Sequence, residues 1–99
     1  MRIVSRDILY NYCKKKGSRD VQIAISTWIE IVTKANWCSP MEIRLQWPKA
    51  SIIQDNRAVF NIAGNKHRLV VKINYEAKVV LVKFIGTHAE YDRIEAARI

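Results

Sequence analysis

The sequence predicts an α+β domain in which N-terminal helices pack on one face of an antiparallel sheet. In the first half of the chain apolar residues recur at helical spacing, and in the second half the pattern changes to alternating runs separated by turn-forming pairs. Composition adds that residues 1–99 form a single domain. About half the residues are apolar, nine are aromatic, and only 3 Gly and 2 Pro interrupt the chain. A chain of this length buries roughly 60–70% of its extended surface on folding, enough for one core.

Met1 to Val4 is a short apolar run suited to a strand. Ser5 then stands as an N-cap before Ile8, Leu9, Tyr12 and Cys13, which mark a first helix ending before Gly17. Ser18 or Asp20 caps a second helix, in which Val21, Ala24, Ile25, Trp28, Ile29 and Val32 repeat at i, i+3, i+4 and i+7. Ile23 and Ile31 widen that stripe, so part of it can touch a partner. Ser39-Pro40-Met41-Glu42 has the form of a capping box with Pro at the first helical position, and this third helix ends by Trp47-Pro48. Four strands follow at Ile52 to Gln54, Ala58 to Ile62, His67 to Tyr75 and Lys78 to Ile85, giving an antiparallel meander.

Taking Gly64-Asn65 and Glu76-Ala77 as the central pairs of tight hairpins fixes a register by counting. Asn61 then lies opposite Arg68, and Arg68 opposite Ile85. One face collects Phe60, Ile62, Leu69, Val71, Ile73, Tyr75, Val80, Val82 and Phe84, which the helices cover. The other carries Asn61, Arg68, Val70, Lys72, Asn74, Leu81 and Lys83 and is polar and cationic. Glu76-Ala77 lacks the Gly or Asn that a tight turn prefers, which leaves a longer loop open there. In either register the segment Gly86 to Tyr91 emerges beside Lys66, His67 and Arg68.

The chain has 17 Lys and Arg against 9 Asp and Glu, a formal charge of +8, which favours a polyanionic partner and nucleic acid first. No apolar run is long enough to span a bilayer, and the start of the chain lacks the apolar centre of a signal peptide, so no membrane association and a cytoplasmic location are expected. Cys13 and Cys38 form neither a CxxC pair nor a zinc pattern with His67 and His88, so no metal is expected. A disulfide between them stays open, and two reduced thiols is the reading adopted.

The convergence at one end of the basic face suits RNA cleavage without metal or cofactor. That reaction needs activation of a 2′-OH, stabilisation of charge on phosphorus and protonation of the leaving 5′-oxygen. His88 is the best general acid or base because imidazole titrates nearest neutral pH. Arg68 offers a planar fork for two phosphate oxygens, and Tyr91 can position the 2′-OH or stack on a base. Lys66, His67, Lys72, Lys83 and Asn61 are the expected RNA and phosphate contacts.

The run Val59 to Val70, together with Phe84-Ile85-Gly86-Thr87-His88-Ala89-Glu90-Tyr91-Asp92, resembles the HigB toxins of bacterial type II toxin–antitoxin systems. Trp28 and Ala35-Asn36-Trp37 extend the likeness over nearly the whole chain. The resemblance implies the RelE/ParE-like microbial ribonuclease arrangement and metal-free cleavage of mRNA in the ribosomal A site, leaving a 2′,3′-cyclic phosphate and a 5′-OH. It implies a HigA-type helix-turn-helix antitoxin as partner, with operator DNA contacted only through that antitoxin. Arg68, in an arginine-leucine-valine pattern, matches the strand arginine of RelE-type toxins. His88 falls two residues after the glycine ending the last strand, where those toxins place Arg or His. Tyr91 fits the family's threonine-histidine-x-x-tyrosine pattern, spaced differently from relatives whose His and Tyr are adjacent. Two other readings stand beside this one: a non-catalytic basic module that binds nucleic acid or protein, and a gyrase-directed toxin of the same superfamily.

Overall fold

In the computed structural model, which describes residues 1–99, helices precede a sheet as the change of period predicts. The order is β1 (Arg2–Val4), α1 (Arg6–Lys16), α2 (Arg19–Lys34), α3 (Pro40–Gln46), β2 (Ser51–Ile53), β3 (Arg57–Ile62), β4 (His67–Asn74), β5 (Val79–Thr87) and α4 (His88–Tyr91). The three serines expected as caps do precede α1, α2 and α3, but none makes a side-chain cap bond. Glu42 serves the start of α3 differently from a capping box: its Oε2 accepts from the Cys38 N–H at 2.9 Å. Helix α1 ends at Gly17, whose φ of +61° costs glycine little and whose N–H closes onto the Cys13 carbonyl at 2.9 Å.

The strands form one sheet in the order β1-β5-β4-β3-β2. The pairs from β2 to β5 are antiparallel, as the meander requires, while β1 pairs parallel to β5, with Ile3 opposite Val80. The sheet is therefore mixed rather than wholly antiparallel. A parallel neighbour needs a long crossover, and the helices together with the meander supply it before the chain returns as β5 beside β1.

Between β3 and β4 the register is the expected one, with Asn61 opposite Arg68. The turn differs: Ala63 and Gly64 take left-handed φ values of 53° and 72°, within a loop from Ala63 to Lys66. Between β4 and β5 the expected register holds from Asn74↔Val79 to Val71↔Val82, then shifts by one, since Val70 faces Phe84. Lys83 is the extra residue of a β-bulge. Arg68 consequently lies opposite Gly86, not Ile85. Phe84 moves to the face away from the helices, and Ile85 turns into the core at 8% exposure.

The core lies between the helices and one sheet face. Phe60 sits among three indoles, edge-on to Trp28 and Trp47 at 5.5 Å each and stacked with Trp37 at 6.2 Å. On the opposite face Val59 and Val70 are buried outside that cluster. The segment after α4 returns to this face, where the Arg57 Nε donates to the Ile99 main-chain oxygen at 3.0 Å. The second face is thus not the open polar surface that alternation alone suggests. No helix is long and apolar enough to cross a membrane.

Candidate functional site

The bulge at Lys83 sets which residues of β5 meet the start of β4. It brings Gly86 opposite Arg68 and Thr87 opposite His67, and the chain then turns into α4. A capping box makes that turn: Thr87 N–H donates to Glu90 Oε1 at 2.8 Å, and Glu90 N–H donates to Thr87 Oγ1 at 3.2 Å. Hydrogen bonding from the Thr87 main chain first and from its side chain second holds the Glu90 carboxyl below the usual carboxylate range. Helix α4 is also tied to the β3–β4 loop, since the His88 N–H donates to the Lys66 carbonyl at 3.3 Å. Two segments twenty residues apart in sequence thereby form one corner of the molecule.

On the face away from the helices, Arg68 is half-buried and its Nη1 donates to the Asn65 carbonyl at 3.1 Å. One donor is engaged, which leaves most of the guanidinium fork for a ligand. Asn61, directly opposite Arg68, donates from Nδ2 to Asn65 Oδ1 at 3.1 Å. Gly86 completes this row, and a side chain there would make a neighbour shift: a Cβ would lie 2.5 Å from Phe84 Cζ and 3.1 Å from Glu90 Cβ.

His88 and Asp92 are both more than half exposed, and His88 Nδ1 lies 3.1 Å from Asp92 Oδ2. A neutral imidazole in that contact donates its Nδ1–H to the carboxylate, and Nε2 is left as an acceptor. Tyr91 is half-buried on the same short helix. Asp92, which contacts His88 one turn along the helix, was not singled out by residue type, although the i, i+4 spacing was visible.

His67 departs from its expected surroundings. It lies on the helix-covered face at 9% exposure, and its Nδ1 is 2.6 Å from the Tyr12 hydroxyl of α1. Burial raises the Tyr12 phenol to about 12, with the negative charge of Glu90 adding to the effect. Burial lowers the His67 imidazole, and the nearby Lys16 and Lys66 cations lower it further against the opposing pull of Glu90. Both shifts favour a Tyr12 O–H donating to a neutral His67, so the proton of that ring sits on Nε2. Lys16 Nζ lies over the Tyr12 ring, 5.4 Å from its centroid. His67 therefore braces β4 against α1 and does not share a face with Arg68.

The lysines are dispersed. Lys66 is exposed in the loop beside His88, and Lys83 is half-buried at the bulge. Lys72 is four residues along β4 from Arg68, about 13 Å at strand rise. It lies opposite Arg57, a buried guanidinium that the sequence reading did not single out. Cys13 and Cys38 are both free, and burial pushes the Cys13 thiol up. No three His, Cys, Asp or Glu side chains converge as a metal-binding group.

A family model described as HigB_toxin, RelE-like toxic component of a toxin-antitoxin system, matches residues 21–94. That span runs from α2 through α4 and includes Arg68, His88, Tyr91 and Asp92. The protein named mRNA interferase HigB from Escherichia coli O6:H1 is 27% identical over 96 residues, covering 95% of this chain and 91% of that one.

Proposed function

The chain belongs to the HigB toxin family, the RelE-like toxic components of toxin–antitoxin systems, and we propose on that premise that it is an mRNA interferase acting in the ribosomal A site. The observation that carries the chemistry is the His88–Asp92 pair at 3.1 Å, on a helix that begins two residues after the partner of Arg68.

In the proposed reaction His88 Nε2 takes the proton of a ribose 2′-OH. The 2′-oxygen attacks the adjacent phosphorus, and the bond from phosphorus to the 5′-oxygen breaks. The products are a 2′,3′-cyclic phosphate and a 5′-OH. Arg68 faces the phosphorane, where the charge that builds on the equatorial oxygens meets the guanidinium donors that the Asn65 carbonyl leaves free. Lys66 and Lys83 add point charges, and Asn61 holds the loop that carries the Asn65 carbonyl. Water or the Lys66 ammonium protonates the departing 5′-oxygen. Tyr91 positions the ribose or stacks on a base. Asp92 keeps His88 in the tautomer with a free Nε2. His67 acts through β4 as a positioning residue, and Lys72 contributes to binding along the strand.

As a toxic component the chain has an antitoxin partner. We assign that role to a HigA-type helix-turn-helix protein, which alone contacts operator DNA. The test is primer extension on an mRNA in a translating extract. New ends carrying a 5′-OH, lost when initiation is blocked, support ribosome-dependent cleavage; unchanged ends on a translated message overturn it.

A further inference from the structure

The last turn of α1 reaches the corner that α4 and the β3–β4 loop form, and it brings two cations that the proposed reaction does not use. Lys16 is half-buried, with its Nζ 5.4 Å from the centroid of the Tyr12 ring, and the Tyr12 hydroxyl meets His67 Nδ1 at 2.6 Å. His67 pairs with Thr87 and precedes Arg68 in β4. Lys16 is thus tied, through its contact with Tyr12 and a buried hydrogen bond, to the strand that carries the guanidinium. Lys15 beside it is exposed.

After the Thr87 hydrogen bonds, the fields of Lys16 and Lys15 also draw the Glu90 carboxyl down, which places both lysines close to α4. They are not neutralised there: one Glu90 oxygen is engaged by the Thr87 N–H, and none of the chain's ion pairs includes Lys15, Lys16 or Lys66. Helix α4 therefore has Arg68 on the sheet-face side and the two α1 lysines on the other. Cations at a helix C-terminus complement its dipole wherever they point. Lys15 and Lys16 are set apart by the nearness of Glu90 and, for Lys16, of the Tyr12–His67 bond. Along β4 the face beyond Arg68 is less open, since Val59 and Val70 are buried and Arg57 is engaged by the Ile99 main-chain oxygen. A strand leaving Arg68 that way passes over the segment after α4, whereas a strand leaving over α4 crosses His88 and Ala89, both exposed.

We propose that Lys15 and Lys16 bind RNA backbone phosphates flanking the one on Arg68, so that the strand crosses α4 from the Arg68 face to the end of α1. The inference rests on the reading of the corner as an RNA-cleaving site. The two sets of cations divide the work by geometry. Arg68 holds the reacting phosphate with a planar fork, while the ammonium groups of α1 meet flanking phosphates as point charges. Such contacts add affinity and fix the course of the strand without reading its sequence. Lys16, already held against the Tyr12 ring, loses less freedom on binding than an open lysine does.

Fluorescence anisotropy of a labelled 2′-O-methyl oligoribonucleotide, which lacks the attacking hydroxyl, tests this on the full chain across a salt series. Lys15→Gln combined with Lys16→Met, which keeps an apolar stem over Tyr12, is expected to weaken binding at least about fivefold at low salt. The slope of log K against log salt is expected to become shallower by about 1.4, two contacts at about 0.7 each for a single strand. Lys15→Gln alone, at an exposed position whose fold is secure, is expected to give about half that change in slope. Arg44→Gln, which removes one positive charge from the exposed side of α3, is expected to leave the slope as in wild type. A wild-type slope and affinity in the double variant would overturn the proposal and leave the lysines to an acidic protein partner. A loss in Arg44→Gln equal to that in Lys15→Gln would overturn it too, by showing that net charge alone is read. The readout does not depend on cleavage. A chain that cuts mRNA while its lysine variants keep the wild-type slope sinks the α1 contacts alone, and a chain whose variants lose slope but which cuts nothing sinks the nuclease reading alone.

Discussion

His88 Nδ1 stands 3.1 Å from Asp92 Oδ2, one helical turn on, and this contact decides which nitrogen of the imidazole is free to take a proton. Asp92→Asn keeps the shape and removes the charge, and its amide can present either a donor or an acceptor to Nδ1. The expected result is a cleavage rate lowered by about 10- to 100-fold, within the range that positioned general catalysis contributes. Single-turnover rates on a defined message check it, with far-ultraviolet circular dichroism showing the fold unchanged.

Arg68 and a lysine in its place carry the same charge and differ in geometry. Arg68→Lys is expected to lower the cleavage rate at least about tenfold while binding of ribosomes or RNA keeps nearly the same salt dependence. Arg68→Ala is expected to lower the rate further and reduce the salt slope by about one phosphate contact. Measuring affinity against salt alongside the rate separates loss of the fork from loss of charge.

Gly86 is fixed by close approach rather than by a left-handed backbone. Gly86→Ala places a methyl group 2.5 Å from Phe84 Cζ, and overpacking of this kind costs about 1–3 kcal/mol. Urea unfolding should show that loss, and Phe84→Leu on the same background should recover part of it. A Gly86→Ala chain as stable as wild type would mean that Phe84 moves aside freely.

Stability should fall on the acid side through His67. Its folded imidazole titrates lower than in the unfolded chain, so protons bind the unfolded state first. The contribution is whole above the ordinary histidine range near 6.5 and is lost as pH falls from there through the lower folded value. Tyr12, raised to about 12, acts at the other end: its contribution is lost as pH rises from about 10 through 12. Urea midpoints across pH test this, and His67→Gln should flatten the fall that begins below about pH 6.5.

Much of this architecture was legible from residue periods. The α2 stripe buries Val21, Ile25, Trp28 and Val32, and the Asn61↔Arg68 pairing follows from counting across Gly64-Asn65 even though the loop itself is looser. The bulge at Lys83 was not legible, because it sits inside an unbroken run of strand-forming residues with no glycine to mark it. Its effect is large, since one extra residue exchanges the faces of Phe84 and Ile85. The parallel placement of β1 depends on which sheet edge is left free, which no local pattern states. Helix α4 was not expected from the sequence, although Thr87-x-x-Glu90 has the form of a capping signature. The Tyr12–His67 bond joins residues 55 apart, each of which reads locally as an apolar-face residue or a loop-end imidazole. At the candidate site, residue type pointed to Arg68, His88 and Tyr91, while Asp92 and Glu90 emerge only once α4 is known to be helical.

The most direct test of the account is induced expression of wild type and His88→Ala in bacteria, with growth followed and mRNA 5′ ends mapped. The account predicts growth arrest with new 5′-OH ends at in-frame codon positions for wild type, and loss of both in the variant. Arrest without new ends, or arrest and ends unchanged in His88→Ala, would contradict the assignment of His88 and move the chain toward a non-catalytic binder or a gyrase-directed toxin.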